Sequence, residues 1–466
     1  MKRLLLTCLW LTSLLSAFAI SPDSAQMAID TFALHPDMQH ASMTIAVSDI
    51  NTGQLIASHN PDLSCITAST MKTITSSTAM LLMGTDYQFT TRVEAQGEIK
   101  GNHLKGNLVI HGCGDPTLGS VYFKDNPDIV QEVLAALQAL GIKKIDGSII
   151  VNHAHIPYPA YNGWWDVGDL AWDYGMGIHA LNYRDNRMQF KFTANHGKIH
   201  HPRFEPDVPG IDIINHLSSE NRDNLDIGLE YASPGVVLMG SAANQDYDIT
   251  IANPLPANML VDSLQRVLKA NKIKVKNKNI KNLSPVSTML VEHHSPTLAD
   301  IIRSLLDRSD NMFTEGLLRA IAHNTGHRTT AAEGAVVVDS LWKANGLDTS
   351  PLFQYDGSGL ARANKNSARF FVQMLNYMAR DNKCTPKISQ LMPQAGKRIG
   401  KLLPETSLAT DIVLKSGSMT GVQCFVGYYP ASNPQYSFAV LVNNWNGTRA
   451  DMRDRIDKML IGIFGK

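Results

Sequence analysis

A serine and a lysine three residues apart, Ser69 and Lys72, stand in the stretch "SCITASTMKTITSSTAM". The pair can act as a nucleophile and its base. A serine hydroxyl is a poor nucleophile until a base removes its proton. A lysine serves as that base only where burial or a second cation lowers its proton affinity. The spacing alone is cheap, because Ser340 and Lys343 repeat it. Context separates the two copies. Met71, Ile74, Thr75, Thr78 and Leu82 follow helical spacing. Ser69 therefore opens a helix, where unpaired N–H groups and the positive dipole end favour an oxyanion. Ser340 falls inside the amphipathic run "AAEGAVVVDSLWKANG", with no free N–H groups around it.

Two further motifs complete a set. S-x-N occurs at Ser58, Ser219 and Ser309, and K-[ST]-G occurs at Lys415-Ser416-Gly417. One assignment puts S-x-x-K on a helix start, Ser309-Asp310-Asn311 between helices and the lysine triplet on a strand, in that order. Lys415 can supply the second cation or attract a substrate carboxylate. Ser309 can relay a proton between Lys72 and a leaving amine, and Asn311 can position Lys72 and a substrate amide.

With this set the chain resembles the active-site-serine penicillin-interacting enzymes, whose signatures are S-x-x-K, S-D-N and K-T-G. Within them it is most similar to peptidase S13, the D-alanyl-D-alanine carboxypeptidase/endopeptidase family also called low-molecular-mass class C penicillin-binding proteins. "GCGDPTL" (112–118), "SDNMFTEGLLR" with Glu315, "YDGSGLAR" (355–362) and "KSGSMTGV" carry the narrower resemblance. The departures are Ser416 for a threonine, Cys113 for a glycine and Ala361 for a serine; none removes a catalytic group. The resemblance implies an oxyanion hole from the N–H groups of Ser69 and Ser418. It also implies that the aromatic and acidic stretch 164–182 overhangs the site, with Asp169 and Tyr174 as substrate contacts. A packed loop is the competing account of that stretch. Arg362 is either a contact for a substrate carboxylate or half of a structural ion pair.

The implied fold is α/β: a β-lactamase/transpeptidase-like core, an antiparallel sheet flanked by helices, from residues 20–86 and 290–466. Residues 87–289, where short β-like runs alternate with Gly, Pro and Asn turns, form a large β-rich insert with a nested domain of its own. The implied reaction is acyl transfer on peptidoglycan stem peptides, with covalent capture of β-lactam antibiotics and no cofactor or metal. A β-lactamase and a catalytically silent binding protein are the rivals. Glu333 is the acid nearest to the position of a deacylating glutamate, but its setting is wrong for that role.

Composition sets the outer bounds. Residues 1–19 read as a secretory signal peptide, two basic residues, an apolar run and Ala17-Phe18-Ala19. Export to the periplasm or cell envelope is therefore expected. No later stretch approaches the ~20 apolar residues of a membrane span. Lys plus Arg and Asp plus Glu number 42 each, which makes no electrostatic case for nucleic acid. The length suggests roughly three domains of ~150 residues. Cys65, Cys113, Cys384 and Cys424 show no metal spacing, and spacing does not pair them. His200-His201 lacks further ligands at suitable spacing, and Asp356-Gly357-Ser358-Gly359 lacks a phosphate-loop lysine, so both read as loops or turns. Oligomeric state leaves no mark on the sequence.

Overall fold

The computed structural model describes residues 20–465, apart from 157–159, 231–233, 279–285, 398–401 and 405. The expected signal peptide lies outside the described residues. Two compact units are present. The first takes its described residues up to Ile74, then Trp342–Phe353, and the chain from Asn364 on. The second takes Thr75–Leu341 and Gln354–Ala363.

The first unit is built on a five-stranded antiparallel sheet in the order Val413–Met419, Val422–Tyr429, Tyr436–Asn443, Ser42–Asp49, Leu55–His59. Its central strands are buried along nearly their whole length, so both faces must be covered. Alternation along Ser42–Asp49 shows how. Met43, Ile45 and Val47 join a core with Ile29 and Phe32 of the helix Pro22–Ala33 and with Ile456 and Leu460 of the helix Arg449–Phe464. Thr44 and Ser48 point the other way, to the helix Ala368–Arg380. Successive strand residues face opposite sides, so helices flank both faces. Trp342, fully buried, packs edge-on against Phe370 and Tyr377 of that third helix.

The second unit is β-rich. A six-stranded sheet contains the long hairpin Thr90–Lys100 and His103–His111, with Ser287–His294 on its outer side. Two three-stranded sheets follow, one from strands between 187 and 252 and one from strands between 212 and 241. The helices Ile129–Ala139 and Pro256–Ala270 share one apolar core with these sheets. In the turn 112–118 the positive φ falls on Gly114, at 81°, not on Cys113, so a side chain is tolerated where the family has glycine. Gly112 lies against the Ala180 carbonyl, 2.4 Å from where a Cβ would stand. All four described cysteines are free thiols.

The helix Asn311–Asn324 of this unit buries an ion pair, Glu315–Arg319 at 2.9 Å. The second Glu315 oxygen accepts from the N–H groups of Gly357 and Ser358. Asp356, also fully buried, accepts from the N–H groups of Gly359 and Ala361 and from the Trp165 indole at 2.9 Å. The loop 356–361 is thus wrapped around two carboxylates, and Asp356 also fixes Trp165.

Burial, and next the Glu315 charge, push Asp356 up to about 6. A carboxyl raised above its unfolded value stabilises the fold when protonated; its contribution declines as pH rises between about 4 and 6. Asp356→Asn keeps one acceptor oxygen but turns an NH2 toward at least one of the three buried donors, at a cost of about 1–3 kcal/mol. The melting temperature should fall at every pH, with a larger gap from wild type at pH 4 than at pH 7. A gap that is constant or widens toward pH 7 would contradict this assignment.

Candidate active site

Within the first unit, Ser69 lies in a single 3-10 turn, Ala68–Thr70, which runs directly into the helix Met71–Met83. The expectation of a helix start holds, with the tighter turn as its first element. The turn is forced by its surroundings. Ala68 has φ 43°, a left-handed conformation that a side chain disfavours by roughly 1–2 kcal/mol. Asn443, at the end of a central strand, clamps the chain just before it. Its side chain accepts from Ile66 N–H at 2.8 Å and donates to the Ile66 carbonyl at 3.2 Å. Thr70 closes the turn by donating its hydroxyl to the Thr67 carbonyl at 2.6 Å.

One helical turn brings Lys72 back over Ser69. The Lys72 amine donates to the Ser69 hydroxyl oxygen at 2.8 Å. Lys72 is wholly buried, whereas Ser69 is partly exposed. A buried amine is thus in contact with an accessible hydroxyl. The edge strand Val413–Met419 supplies the rest of this half. Lys415, also buried, donates to the Ser416 carbonyl at 2.6 Å, while Ser418 is exposed. Gly417 explains the glycine of the triplet. A Cβ there would stand 2.8 Å from the Thr67 carbonyl oxygen and the Thr70 nitrogen, and 2.9 Å from the Ser69 nitrogen. Only a residue without a side chain lets the strand approach the nucleophile turn this closely.

The second unit holds the other residues of the set. Ser309 ends the helix Leu298–Arg308 in the left-handed region, φ 58°, and Asp310 begins the next helix by accepting from Phe313 N–H at 3.0 Å. Asn311 donates its amide to the Tyr174 carbonyl at 2.7 Å, so the 164–182 stretch touches the S-D-N turn. The Tyr174 hydroxyl donates to Asp169 at 3.1 Å. Burial and then the Asp169 charge push that phenol up to about 12, which keeps it a donor. Arg362 is exposed and lies 3.7 Å from Asp166.

The remaining sequence candidates carry no such setting. Ser340 and Lys343 are both exposed within the helix Ala331–Ala344. Glu333 pairs with Arg328 at 2.9 Å. His200 and His201 are exposed in the strand Lys198–Glu205.

Sequence reading missed the supports. Asn443, Trp165 and the buried carboxylate of Asp356 act through contacts hundreds of residues or whole elements away. Asp310 carried a legible signal, an aspartate directly before a helix.

Gly417→Ala tests the close approach. The strand must withdraw by several tenths of an ångström or the turn must deform. On the expectation that Ser69 is the nucleophile, its covalent labelling by a β-lactam should slow by up to about 10²-fold, the scale of a 1 Å misplacement, with the protein still folded by circular dichroism. Labelling at the wild-type rate would show that the contact is not needed.

Comparison with known proteins identifies the family. The chain is 26% identical over 417 residues to the D-alanyl-D-alanine carboxypeptidase DacB of Haemophilus influenzae, which covers 85% of this chain and 84% of that protein. It is 24% identical over 458 residues to the D-alanyl-D-alanine carboxypeptidase of Actinomadura sp. strain R39, covering 90% and 81%. The fold matches the crystal structure of penicillin binding protein 4 (dacB) from Haemophilus influenzae with a TM-score of 0.75 at 22% identity, over 90% of this chain and 95% of that one. The model of the D-Ala-D-Ala carboxypeptidase 3 (S13) family matches residues 25–461, and the chain belongs to that family.

Proposed function

We propose that this serine peptidase cleaves the terminal D-Ala–D-Ala bond of peptidoglycan stem peptides, and D-amino cross-links between them, through an acyl-enzyme on Ser69. The observation that carries the reading is the 2.8 Å contact between the buried Lys72 amine and the Ser69 hydroxyl. A serine hydroxyl becomes nucleophilic when a base in contact with it takes its proton. In the proposed reaction Ser69 Oγ attacks the carbonyl carbon and its proton passes to Lys72. The N–H groups of Ser69 and Ser418 hold the oxyanion. Ser309 passes a proton to the leaving amine, so D-alanine departs neutral at nitrogen. Asn311 holds the substrate amide, and Lys415, with Ser416 and Gly417, attracts the terminal carboxylate, with Arg362 as a further cation. Water then releases the shortened peptide from the ester. A β-lactam follows the same first step and stays attached. The core assignment is 20–86 and 290–466, with recognition from the insert 87–289. The substrate places the enzyme in the periplasm or cell envelope, in keeping with the signal peptide read at 1–19.

Labelling with fluorescent penicillin, followed by mass spectrometry of a digest, tests this. A stable adduct on the peptide containing Ser69, absent in Ser69→Ala, is expected. Rapid turnover of the label would make the protein a β-lactamase, and no adduct would make it a binding protein. Lys72→Arg should slow acylation by the ~10²–10⁴-fold of general acid–base catalysis, because guanidinium keeps its proton. Acylation near the wild-type rate in that variant would assign the base elsewhere.

The insert supplies a second test. Many stem peptides carry a free side-chain amine on a diamino acid two residues before the scissile bond. Asp169, with the Tyr174 phenol donating to it, is the proposed partner of that ammonium, and the Tyr174 ring lies along the aliphatic stem. A hydrogen bond to a charged group contributes about 1.5–3 kcal/mol. Asp169→Asn should therefore lower kcat/KM by about 10-fold or more for peptides with that amine. N-acetylated peptides and penicillin should be unaffected. Equal loss on all three substrates would reduce Asp169 to a loop support.

A further inference from the structure

We propose that Arg187, on a strand of the insert, is a positioning residue that holds the Ser309-Asp310-Asn311 turn and the Tyr174 loop in one register. The inference rests on the peptidase reading above. Its starting point is Asp310, the middle residue of the turn. Its side chain is 1% exposed, and one oxygen is occupied as the cap of the helix Asn311–Asn324. The other oxygen faces two arginines, Arg187 at 3.4 Å and Arg308 at 3.6 Å.

The two arginines differ in reach. Arg308 ends the helix that immediately precedes the turn, and its guanidinium lies over the Tyr122 ring. Arg187 comes from the strand Arg187–Asn195, distant in sequence. Its Nη1 donates to the Tyr122 hydroxyl at 2.7 Å, and its Nε is 3.9 Å from the Asp173 carboxylate. Asp173 precedes Tyr174, whose carbonyl accepts from Asn311. One guanidinium thus touches the residue between Ser309 and Asn311, and also the neighbour of the residue that Asn311 binds. Tyr122 is itself held. Asp185 accepts from Val121 N–H at 3.2 Å, and Phe123 stacks on Phe313 of the S-D-N helix.

The turn needs such a brace. Ser309 occupies the left-handed region, which persists in a non-glycine residue only where the surroundings over-determine it. The brace also needs an arginine. Its planar fork donates to Tyr122 and Asp310 at once and keeps a third edge within ion-pair distance of Asp173, whereas an ammonium is a single point of charge. Arg187 touches none of the reacting atoms; it acts through Asp310 and Asp173.

Arg187→Met and Arg187→Lys test this. The readouts are kcat and KM on a D-Ala–D-Ala peptide, per site titrated to completion with fluorescent penicillin, together with the melting temperature. Arg187→Met should lower kcat per titrated site by about 10-fold or more, within the range that small misplacements cost. Arg187→Lys restores the charge beside Asp310, so it should recover the melting temperature but not kcat. Wild-type kcat per titrated site in Arg187→Met, or recovery of both quantities in Arg187→Lys, would overturn the proposal. Should Arg187→Met not fold, Asp173→Asn removes the exposed end of the brace; a several-fold fall in kcat supports the proposal and an unchanged kcat refutes it. Wild-type protein that penicillin does not acylate would instead sink the peptidase reading, leaving the two failures distinct.

Discussion

A lysine amine with no exposed surface, in contact with a serine hydroxyl, is the constraint on which the first unit depends. Burying a lysine is costly unless its amine finds partners or gives up its charge. The fold therefore has to close around Lys72 and still leave Ser69 accessible. The helix Met71–Met83 does the first, with residues 71–80 all buried. The 3-10 turn does the second by lifting Ser69 out of the regular helix. Neither element holds this shape alone. Asn443 grips the backbone before the turn, and Gly417 lets the edge strand meet it at contact distance. The sheet is the reference frame for both.

The second unit solves a similar problem with carboxylates. Asp310, Glu315 and Asp356 are all buried, and each is surrounded by N–H donors or guanidinium groups. Breaking such groups from their partners is expensive, whereas an apolar replacement of the whole cluster is often no less stable. Their value here is geometric. Glu315 and Asp356 fix the loop 356–361 and Trp165, and Asp310 fixes the turn that carries Ser309 and Asn311. Pro116, next to the buried Asp115, packs on Gly316 of the same helix. The stretches that resembled the family are in large part these carboxylates and the backbone they hold.

The sequence disclosed the local part of this design. The S-D-N turn between two helices, the lysine triplet on a strand and the alternation of β-runs with turns follow from periodicity and caps over a few residues. Two helices flanking the sheet, Pro22–Ala33 and Ala368–Arg380, stood outside the segments read as helical, although Ser21 with Pro22, and Ser367, are legible start signals. What no local pattern reveals is contact at a distance. Nothing near Asn443 says that it clamps Ile66, and nothing near Arg187 says that it meets Asp310. Those pairings are created by strand order and by the folding back of the insert.

The duplicate S-x-x-K motif shows where the chemistry comes from. Ser340 and Lys343 have the same spacing on a helix as Ser69 and Lys72. Both lie in solvent. Spacing fixes only that two side chains share a helical face. Burial of the amine, a turn that exposes the hydroxyl and a second backbone at contact distance distinguish the first pair from the second. The Ser69 motif is thus set apart by the strand Val413–Met419 and the clamp at Asn443, both far along the chain from it.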